Sequence, residues 1–268
     1  MEKVGLLAGV GRLPVECAKA AKDMGYEVCA VALLPDTDPE LKEIVSEYTE
    51  INVARLGEII AWLKANGIRR VTMIGKVTKE LLFSGQHAEP DATMMQLLAT
   101  LPDRKDDTIM LHFVAALAHA GMQALDQTAL IRRLMPQHGV LTARKPTEKE
   151  QNDLNLAYRM AREDGRLDVG QTAVVKDMAV MALEAIEGTD ECIKRGGKLA
   201  RGGAVVAKVA KPNQDMRFDV PTVGMQTIRS MIESGATALA IEAGKTLLVE
   251  KDKVVALADE NDIAIVVM

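Results

Sequence analysis

Short hydrophobic runs alternate with helix-length segments through the first third of the chain. The runs at residues 4–8 and 71–74 have the composition of buried strands, and residues 27–34 are also rich in β-forming side chains. Segments 13–24 and 57–65 have the length of helices, and a glycine follows soon after each. Buried strands separated by helices are typical of parallel sheets with crossover connections. The pattern predicts an α/β domain at the start of the chain.

A second domain is predicted beyond residue 146. The segment 135–146 has the polarity and the proline and glycine content of an inter-domain linker. Thr147 and Glu150 then have the spacing of a capping box, which predicts a charged helix over residues 147–162. Further strand-like and helix-like runs alternate to residue 267 and predict a second α/β domain. The predicted organisation is therefore residues 1–134, a linker at 135–146, and residues 147–268.

Smaller elements complete the prediction. Ile51 and Val53 indicate a short strand, and two further helices are predicted in the first domain, at 92–99 and 108–120. In the second domain the predicted strands are 172–175, 204–209, 238–242 and 263–267. The helices predicted between some of them are 189–199, 227–234 and 253–261.

Composition narrows the class of protein. The 268 residues are 48% hydrophobic and 26% charged, with a net charge of -5. These proportions are typical of a globular enzyme, and the negative charge argues against a broad nucleic-acid interface. One segment differs, because residues 194–217 contain seven basic residues and a single acid, Asp215. A basic segment in an acidic protein indicates a small anionic ligand.

Cysteine usage and hydropathy predict a cytoplasmic location. The three cysteines lie far apart and form neither a Cys-x-x-Cys pair nor a disulfide framework, as expected in a reducing compartment. The N-terminus lacks a signal-peptide pattern, and no apolar run approaches the roughly 20 residues that span a bilayer. We therefore expect a cytoplasmic protein.

A glycine-rich turn follows the first predicted strand. Gly9 and Gly11 permit a tight turn, and Leu13 and Pro14 open the helix, whose free N–H groups can bind an anion. A dinucleotide fingerprint would require a third glycine where Pro14 stands, so a mononucleotide or sugar-nucleotide site fits better than NAD. A turn without any ligand is the structural alternative.

Two further clusters lie in the second predicted domain. The first contains Gly170 and Gln171. In the second, Gly188 and Thr189 resemble a helix cap with Asp190 in the first turn, which explains the residues structurally. A backbone cradle for phosphate at the same place is the functional alternative.

The segment 208–224 combines paired carboxylates with basic residues. Asp215 and Asp219 are four residues apart and share a face in either a helical or an extended backbone. Such a pair can hold a hard divalent cation, and Lys208, Lys211 and Arg217 can hold phosphate oxygens. A solvated, charge-rich turn is the structural alternative.

These motifs together resemble the LpxI-type UDP-2,3-diacylglucosamine pyrophosphatases over essentially the whole chain. The similarity follows the order of five blocks. The blocks are Ala8-Gly9-x-Gly11-x-Leu13-Pro14; Gly170-Gln171; Glu187-Gly188-Thr189-Asp190; Lys211-Pro212-x-Gln214-Asp215-x-Arg217-x-Asp219-x-Pro221-x-x-Gly224; and Glu242-Ala243-Gly244.

The resemblance implies a fold and an activity. It implies a Rossmann-like N-terminal domain and a distinct α/β C-terminal domain, with the lipid substrate between them. The implied reaction is hydrolysis of UDP-2,3-diacylglucosamine to UMP and 2,3-diacylglucosamine 1-phosphate (lipid X), a step of lipid A biosynthesis. Peripheral contact with the inner membrane and a homodimer are further expectations, and no nucleic-acid partner is expected.

The resemblance also implies a divalent ion and a catalytic aspartate in the C-terminal domain. Asp219 is the first assignment for the catalytic and metal-binding residue, and Asp215 is the second. The ion is expected to be Mg²⁺ or Mn²⁺. The expected substrate-binding residues are Gly9, Gly11, Leu13, Gln171, Gly188, Thr189, Asp190, Lys208, Lys211 and Arg217. An NAD(P)-dependent oxidoreductase and a non-catalytic carrier of sugar nucleotide or lipid are the alternative functions.

Overall fold

The computed structural model describes residues 2–77, 89–212 and 214–268. Its contacts divide the chain into two compact units. The N-terminal unit comprises Met1–Ile131 and Met216–Phe218, and the C-terminal unit comprises Arg132–Asp215 and Asp219–Met268. The segment predicted as a linker contributes a two-residue strand to the sheet of the C-terminal unit. The predicted domain boundaries themselves stay a prediction.

The N-terminal unit is built on a five-stranded sheet. Its strands lie in the order β3-β2-β1-β4-β5, and every neighbouring pair is parallel. The strands are β1 (Glu2–Ala8), β2 (Tyr26–Ala32), β3 (Glu47–Glu50), β4 (Arg70–Ile74) and β5 (Gln123–Ala124). The helices are α1 (Leu13–Asp23), α2 (Glu40–Ile44), α3 (Leu56–Ala65), α4 (Ala92–Ala99), α5 (Asp106–His119) and α6 (Thr128–Ile131).

Burial explains why these strands were recognisable. The last five residues of β1 and of β2 are buried, as expected for strands that carry side chains into a core on both faces of a parallel sheet. The predicted parallel α/β arrangement is therefore confirmed. The strand order is 3-2-1-4-5, and the Rossmann-like description of this unit stays a prediction.

The strand predicted from Ile51 and Val53 is displaced in the structure. Strand β3 covers Glu47–Glu50, a half-exposed polar run at the edge of the sheet. Ile51 and Val53 follow it, and their N–H groups donate to the carbonyls of Ala32 and Leu33 at 3.1 and 3.0 Å. The prediction was wrong because hydrophobicity marks the residues after this edge strand, the partly buried Ile51 and the buried Val53, and not the strand itself.

The C-terminal unit contains a six-stranded mixed sheet in the order β6-β13-β11-β9-β7-β8 and a two-stranded parallel sheet of β10 and β12. In the larger sheet β9, β11 and β13 are parallel, whereas β6, β7 and β8 run antiparallel to their neighbours. The strands are β6 (Gly139–Val140), β7 (Thr172–Lys176), β8 (Ala179–Leu183), β9 (Val205–Lys208), β10 (Thr222–Val223), β11 (Ala238–Ile241), β12 (Leu247–Leu248) and β13 (Ala264–Val267).

Helices cover both faces of this larger sheet. They are α7 (Glu148–Arg166), α8 (Thr189–Ala200), α9 (Met225–Ser234) and α10 (Lys251–Glu260). Along β9, Val205 and Ala207 belong to one buried cluster with residues of α7, whereas Val206 belongs to another with residues of α8, α9 and α10. Successive side chains of a strand point to opposite faces, so the sheet separates two cores. The predicted second α/β domain is confirmed.

Helix α7 begins with the predicted capping box of Thr147 and Glu150.

The length and polarity of the helices decide whether any of them could cross a bilayer. Helix α7 has 19 residues, but its sequence is strongly charged. Within residues 2–77, 89–212 and 214–268, no helix combines the length and the apolar character that crossing a bilayer requires.

A close approach of two backbone segments fixes the glycine turn after β1. A Cβ on Gly9 would lie 2.7 Å from the Lys76 carbonyl oxygen and 2.8 Å from the Gly75 carbonyl carbon. Both are backbone atoms, so the segments would have to separate. This contact is a structural reason for a glycine at position 9.

We expect Gly9→Ala to destabilise the protein by about 1–3 kcal/mol, the usual range for overpacking. Thermal unfolding followed by circular dichroism measures the change. Gly165→Ala is the matched control, because its Cβ would lie in a helix with no described atom from outside that helix nearer than 3.4 Å, and alanine there should be neutral or stabilising. Equal unfolding temperatures for the two variants would contradict the assignment.

Candidate functional site

The two aspartates lie on the connection between β9 and β10, described at residues 209–212 and 214–221, which we call the aspartate loop. The N–H of Asp219 donates to the carbonyl of Asp215 at 2.9 Å, so one hydrogen-bonded turn separates the two residues. Both are partly buried. Met216–Phe218 are counted with the N-terminal unit, and both aspartates with the C-terminal unit. The two residues are therefore one turn apart along the backbone, and the shared carboxylate face stays a prediction.

Several strand ends meet at one edge of the larger sheet. Lys208 is the last residue of β9, and Thr172, the first residue of the antiparallel strand β7, is its partner. Gln171 therefore lies at the same edge, where its carbonyl accepts from the N–H of Val209 at 3.0 Å. Glu242 directly follows the last residue of β11, which also pairs with Lys208. Ligand sites in α/β proteins are commonly found at the carboxyl ends of parallel strands.

Lys208 is the buried cation of this edge. Its side chain is only 8% exposed, and its Nζ donates to the Thr222 carbonyl oxygen at 2.9 Å. Burial lowers the pKa of Lys208, because desolvation disfavours the charged ammonium. Nearby carboxylates oppose that effect and raise its pKa. They belong to Glu184, Asp190 and Asp219.

The second predicted cluster forms the start of α8. Gly188 has a φ of +80° and precedes Thr189, the first residue of the helix. The Thr189 hydroxyl lies 3.2 and 3.3 Å from the two carboxylate oxygens of Glu184, to which it donates. Asp190 accepts a hydrogen bond from the Ser230 hydroxyl at 3.2 Å. The helix start is confirmed, and the side chains of Thr189 and Asp190 both contribute to the packing of the unit.

Two acceptor atoms near this edge are buried and have no donor among the residues that the structure describes. They are Oε1 of Gln171 and Oδ2 of Asp164. Burial raises the pKa of Asp164, and the charge of Glu184 adds to that effect. A buried acceptor without a partner costs about 1–3 kcal/mol, so a bound molecule that donates to Gln171 would gain an interaction there.

Lys211 extends the basic character of the aspartate loop. Its ammonium donates to Asp168 at 2.9 Å, and its backbone N–H donates to the side chain of Gln214 at 2.9 Å. The backbone of Asp168 is in the left-handed region, with a φ of +57°. Lys211 therefore connects the segment that contains Asp168 to the aspartate loop.

The glycine turn of the N-terminal unit brings Gly9, Gly11 and Leu13 into one short segment. The N–H of Gly9 donates to the Ile74 carbonyl at 2.8 Å, so this amide is already used within the sheet. Gly11 has a φ of +105°, which favours glycine, and Leu13 is the first residue of α1. The turn is thus a structural feature in its own right. Its role toward a nucleotide stays a prediction.

The predicted site residues thus form groups that each belong to one unit. The edge described above brings together residues of the C-terminal unit, and Arg217 is counted with the N-terminal unit together with the glycine turn. The residues at or beside the sheet edge are Gln171, Gly188, Thr189, Asp190, Lys208, Lys211 and Asp219.

The carboxylates have the donor chemistry that a divalent ion prefers. Among the residues that the structure describes, no group of three or more histidine, cysteine, aspartate or glutamate side chains is arranged to hold a metal ion. Mg²⁺, however, is commonly bound by one or two carboxylates together with water and substrate phosphates. Asp215 and Asp219, one turn apart, fit a site in which two carboxylates bind the ion together with water and substrate phosphates.

Glu184 and Glu242 also belong to this edge, although neither was predicted to be a site residue; Glu242 was recognised only as part of the Glu242-Ala243-Gly244 block. Both are buried, and each directly follows a strand of the larger sheet. A glutamate that follows a continuous apolar run is a usable signal, because Glu242 comes directly after four buried residues. Glu184 also follows an apolar run, residues 178–183, but that run was not predicted to be a strand, so its end was not recognised as part of this edge.

Comparison with known proteins covers both units. A family model described as the LpxI N-terminal domain matches residues 3–134, and one described as the LpxI C-terminal domain matches residues 137–266. The chain is also 32% identical, over 271 aligned residues, to the UDP-2,3-diacylglucosamine pyrophosphatase LpxI of Caulobacter vibrioides. That alignment covers 97% of the chain and 95% of its relative.

Proposed function

Because the chain belongs to the LpxI family, we propose that it hydrolyses the diphosphate bond of UDP-2,3-diacylglucosamine. The products are UMP and 2,3-diacylglucosamine 1-phosphate, and the enzyme is a hydrolase that acts on a phosphoric anhydride. The observation that carries this proposal is the 32% identity over 97% of the chain to a UDP-2,3-diacylglucosamine pyrophosphatase. The carboxylates and cations at one sheet edge are compatible with diphosphate chemistry.

We assign the decisive catalytic role to Asp219 and a supporting role to Asp215. Hydrolysis of a diphosphate places negative charge on the phosphorus oxygens and on the leaving phosphate. The two aspartates, joined by one backbone hydrogen bond, would hold a divalent ion between the protein and these oxygens. When bound, Mg²⁺ or Mn²⁺ supplies charge compensation and lowers the pKa of a coordinated water.

Basic residues of the same loop are proposed to orient the diphosphate. Lys211 lies at the start of the aspartate loop, and Arg217 lies between the two aspartates. Arginine can bind phosphate oxygens bidentately, whereas an ammonium acts as a point charge. Lys208 contributes a buried positive charge that interacts electrostatically with Asp219.

Residues outside the aspartate loop are proposed to bind the rest of the substrate. The Oε1 of Gln171, which has no donor within the described part of the chain, would accept a hydrogen bond from a substrate hydroxyl or amide. Gly188, Thr189 and Asp190 lie beside it at the start of α8, and the helix N-terminus favours an anionic group. We assign the nucleotide half to Gly9, Gly11 and Leu13.

The substrate carries two acyl chains, so we propose that the enzyme meets it at the cytoplasmic surface of the inner membrane. Peripheral contact with the membrane and assembly into a homodimer are parts of this proposal. Co-sedimentation with vesicles and analytical ultracentrifugation test the two parts separately.

Incubation with UDP-2,3-diacylglucosamine and magnesium, followed by detection of the nucleotide product, tests the function. We expect stoichiometric release of UMP and 2,3-diacylglucosamine 1-phosphate. A carrier would bind the sugar nucleotide and leave it intact. An oxidoreductase would instead bind NAD or NADP and change its absorbance when substrate is added. Either result in place of UMP release would overturn the proposal.

A further inference from the structure

The aspartate loop is held at its beginning by a buried carboxylate. Glu242 is 6% exposed and lies directly after β11. Its Oε2 accepts a hydrogen bond from the N–H of Ala210 at 3.0 Å, and its Oε1 accepts one from the Lys245 ammonium at 2.9 Å. Ala210 is the second residue of the loop and is itself buried. Removal of the carboxylate would therefore leave a buried N–H without an acceptor.

The end of the same loop is held by a buried cation. The Lys208 ammonium donates to the carbonyl of Thr222, the residue that follows the loop. Thr222 is also the first residue of β10, which pairs with β12. Next to it, the Pro221 carbonyl accepts a hydrogen bond from the N–H of Leu247 at 2.8 Å. The ammonium thus links the last residue of β9 to the first residue after the loop.

The two anchoring residues are neighbours in the sheet. Lys208 pairs with Ile241, and Glu242 is the next residue after Ile241. Two buried charges of opposite sign therefore stand on adjacent strands, and each bonds a backbone group at a different end of the loop. Burying an ion is costly and apolar replacements are often more stable, so stability alone is a weak reason for such a pair.

We propose that Lys208 and Glu242 are positioning residues that clamp the ends of the aspartate loop and thereby fix where Asp219 stands. This role deepens the proposed function and rests on the assignment of Asp219. Lys208 acts through its hydrogen bond to the Thr222 carbonyl, in addition to the attraction of its positive charge for phosphate. The two interpretations predict different kinetics, because a positioning residue acts mainly on kcat and a ground-state substrate contact acts mainly on KM.

Three variants test the clamp. Lys208→Met and Glu242→Gln each weaken one anchor while keeping most of the side-chain volume. Lys176→Met is the matched control, because the Lys176 ammonium also donates to backbone carbonyls, those of Ala200 and Gly202, at 2.9 and 2.8 Å. Lys176 ends β7, which runs antiparallel to β9, so it lies at the opposite edge of the sheet.

We expect Lys208→Met to lower kcat about 100-fold, since small displacements of a reacting group have effects of that size. KM should change by no more than about threefold, and Glu242→Gln should show a smaller loss of the same kind. In the absence of substrate, amide hydrogen exchange in residues 209–224 should be faster by about tenfold or more in both variants. Lys176→Met should leave kcat and this exchange unchanged.

The exchange measurement separates failure of the clamp from failure of the proposed function. If the wild-type protein releases no UMP, exchange still shows whether the anchors hold the loop. Unchanged exchange in both variants, or a raised KM with an unchanged kcat in Lys208→Met, would overturn the proposal. If Lys208→Met does not fold, Lys208→Arg and Glu242→Gln decide by the same two readouts.

Discussion

Replacement of Asp219 by alanine is expected to abolish turnover and to leave the fold and substrate binding intact. The loss of kcat should be on the order of 10³-fold or more, the scale seen when a group that acts on the reacting atoms is removed. The fold should survive because the hydrogen bond that Asp219 makes to Asp215 uses its backbone N–H, which alanine retains. Its carboxylate also lies in a partly buried loop outside the two hydrophobic cores.

The measurement combines steady-state kinetics with calorimetric binding of the substrate and thermal unfolding. Asp215→Ala should show a smaller loss of kcat than Asp219→Ala. Asp252→Ala is the control, because Asp252 is exposed in the first turn of α10, away from the aspartate loop in sequence, and should behave as wild type. Near wild-type turnover in Asp219→Ala would remove Asp219 from the mechanism.

Sequence predicted most of the buried elements. The predicted helix at residues 92–99 has the same bounds as α4, and the predicted strand at 71–74 differs from β4 by one residue. Continuous apolar runs and glycine stops identify such elements, since they report burial and helix ends directly. Both α/β units were recognisable for the same reason.

Elements at the edges of the sheets were not recognisable. Strand β8 has the residues Ala-Val-Met-Ala-Leu, which suit a helix as well as a strand, and its exposure pattern shows no alternation. Only pairing with β7 makes it a strand, and sequence gives no direct sign of that pairing. The two-residue strands β10 and β12 are also defined by pairing alone.

The site was predictable in its residue types but not in its anchors. The paired aspartates and the basic residues were visible because charges at short spacing stand out in a sequence. The contacts of Glu242 with Ala210 and of Lys208 with Thr222 join residues 32 and 14 positions apart. Such contacts follow from strand order, which a single sequence does not specify.

Removal of divalent metal is the second change expected to have a large effect. Excess chelator should stop hydrolysis, and added Mg²⁺ or Mn²⁺ should restore it. An ion that offsets charge on the diphosphate is worth several kcal/mol, so we expect a loss of at least about 100-fold. The fold should be unaffected, because both units have hydrophobic cores.

A metal titration of variants connects this effect to particular residues. If Asp215 and Asp219 share the ion, Asp215→Ala should require a higher Mg²⁺ concentration for half-maximal activity, whereas the Asp252→Ala control should match the wild type. The shift should fall when substrate is saturating, because Mg²⁺ sites of this kind draw further ligands from substrate phosphates. Full activity in excess chelator would exclude the metal. A wild-type Mg²⁺ requirement in Asp215→Ala would instead leave Asp219 as the protein ligand and give Asp215 a structural role in the turn.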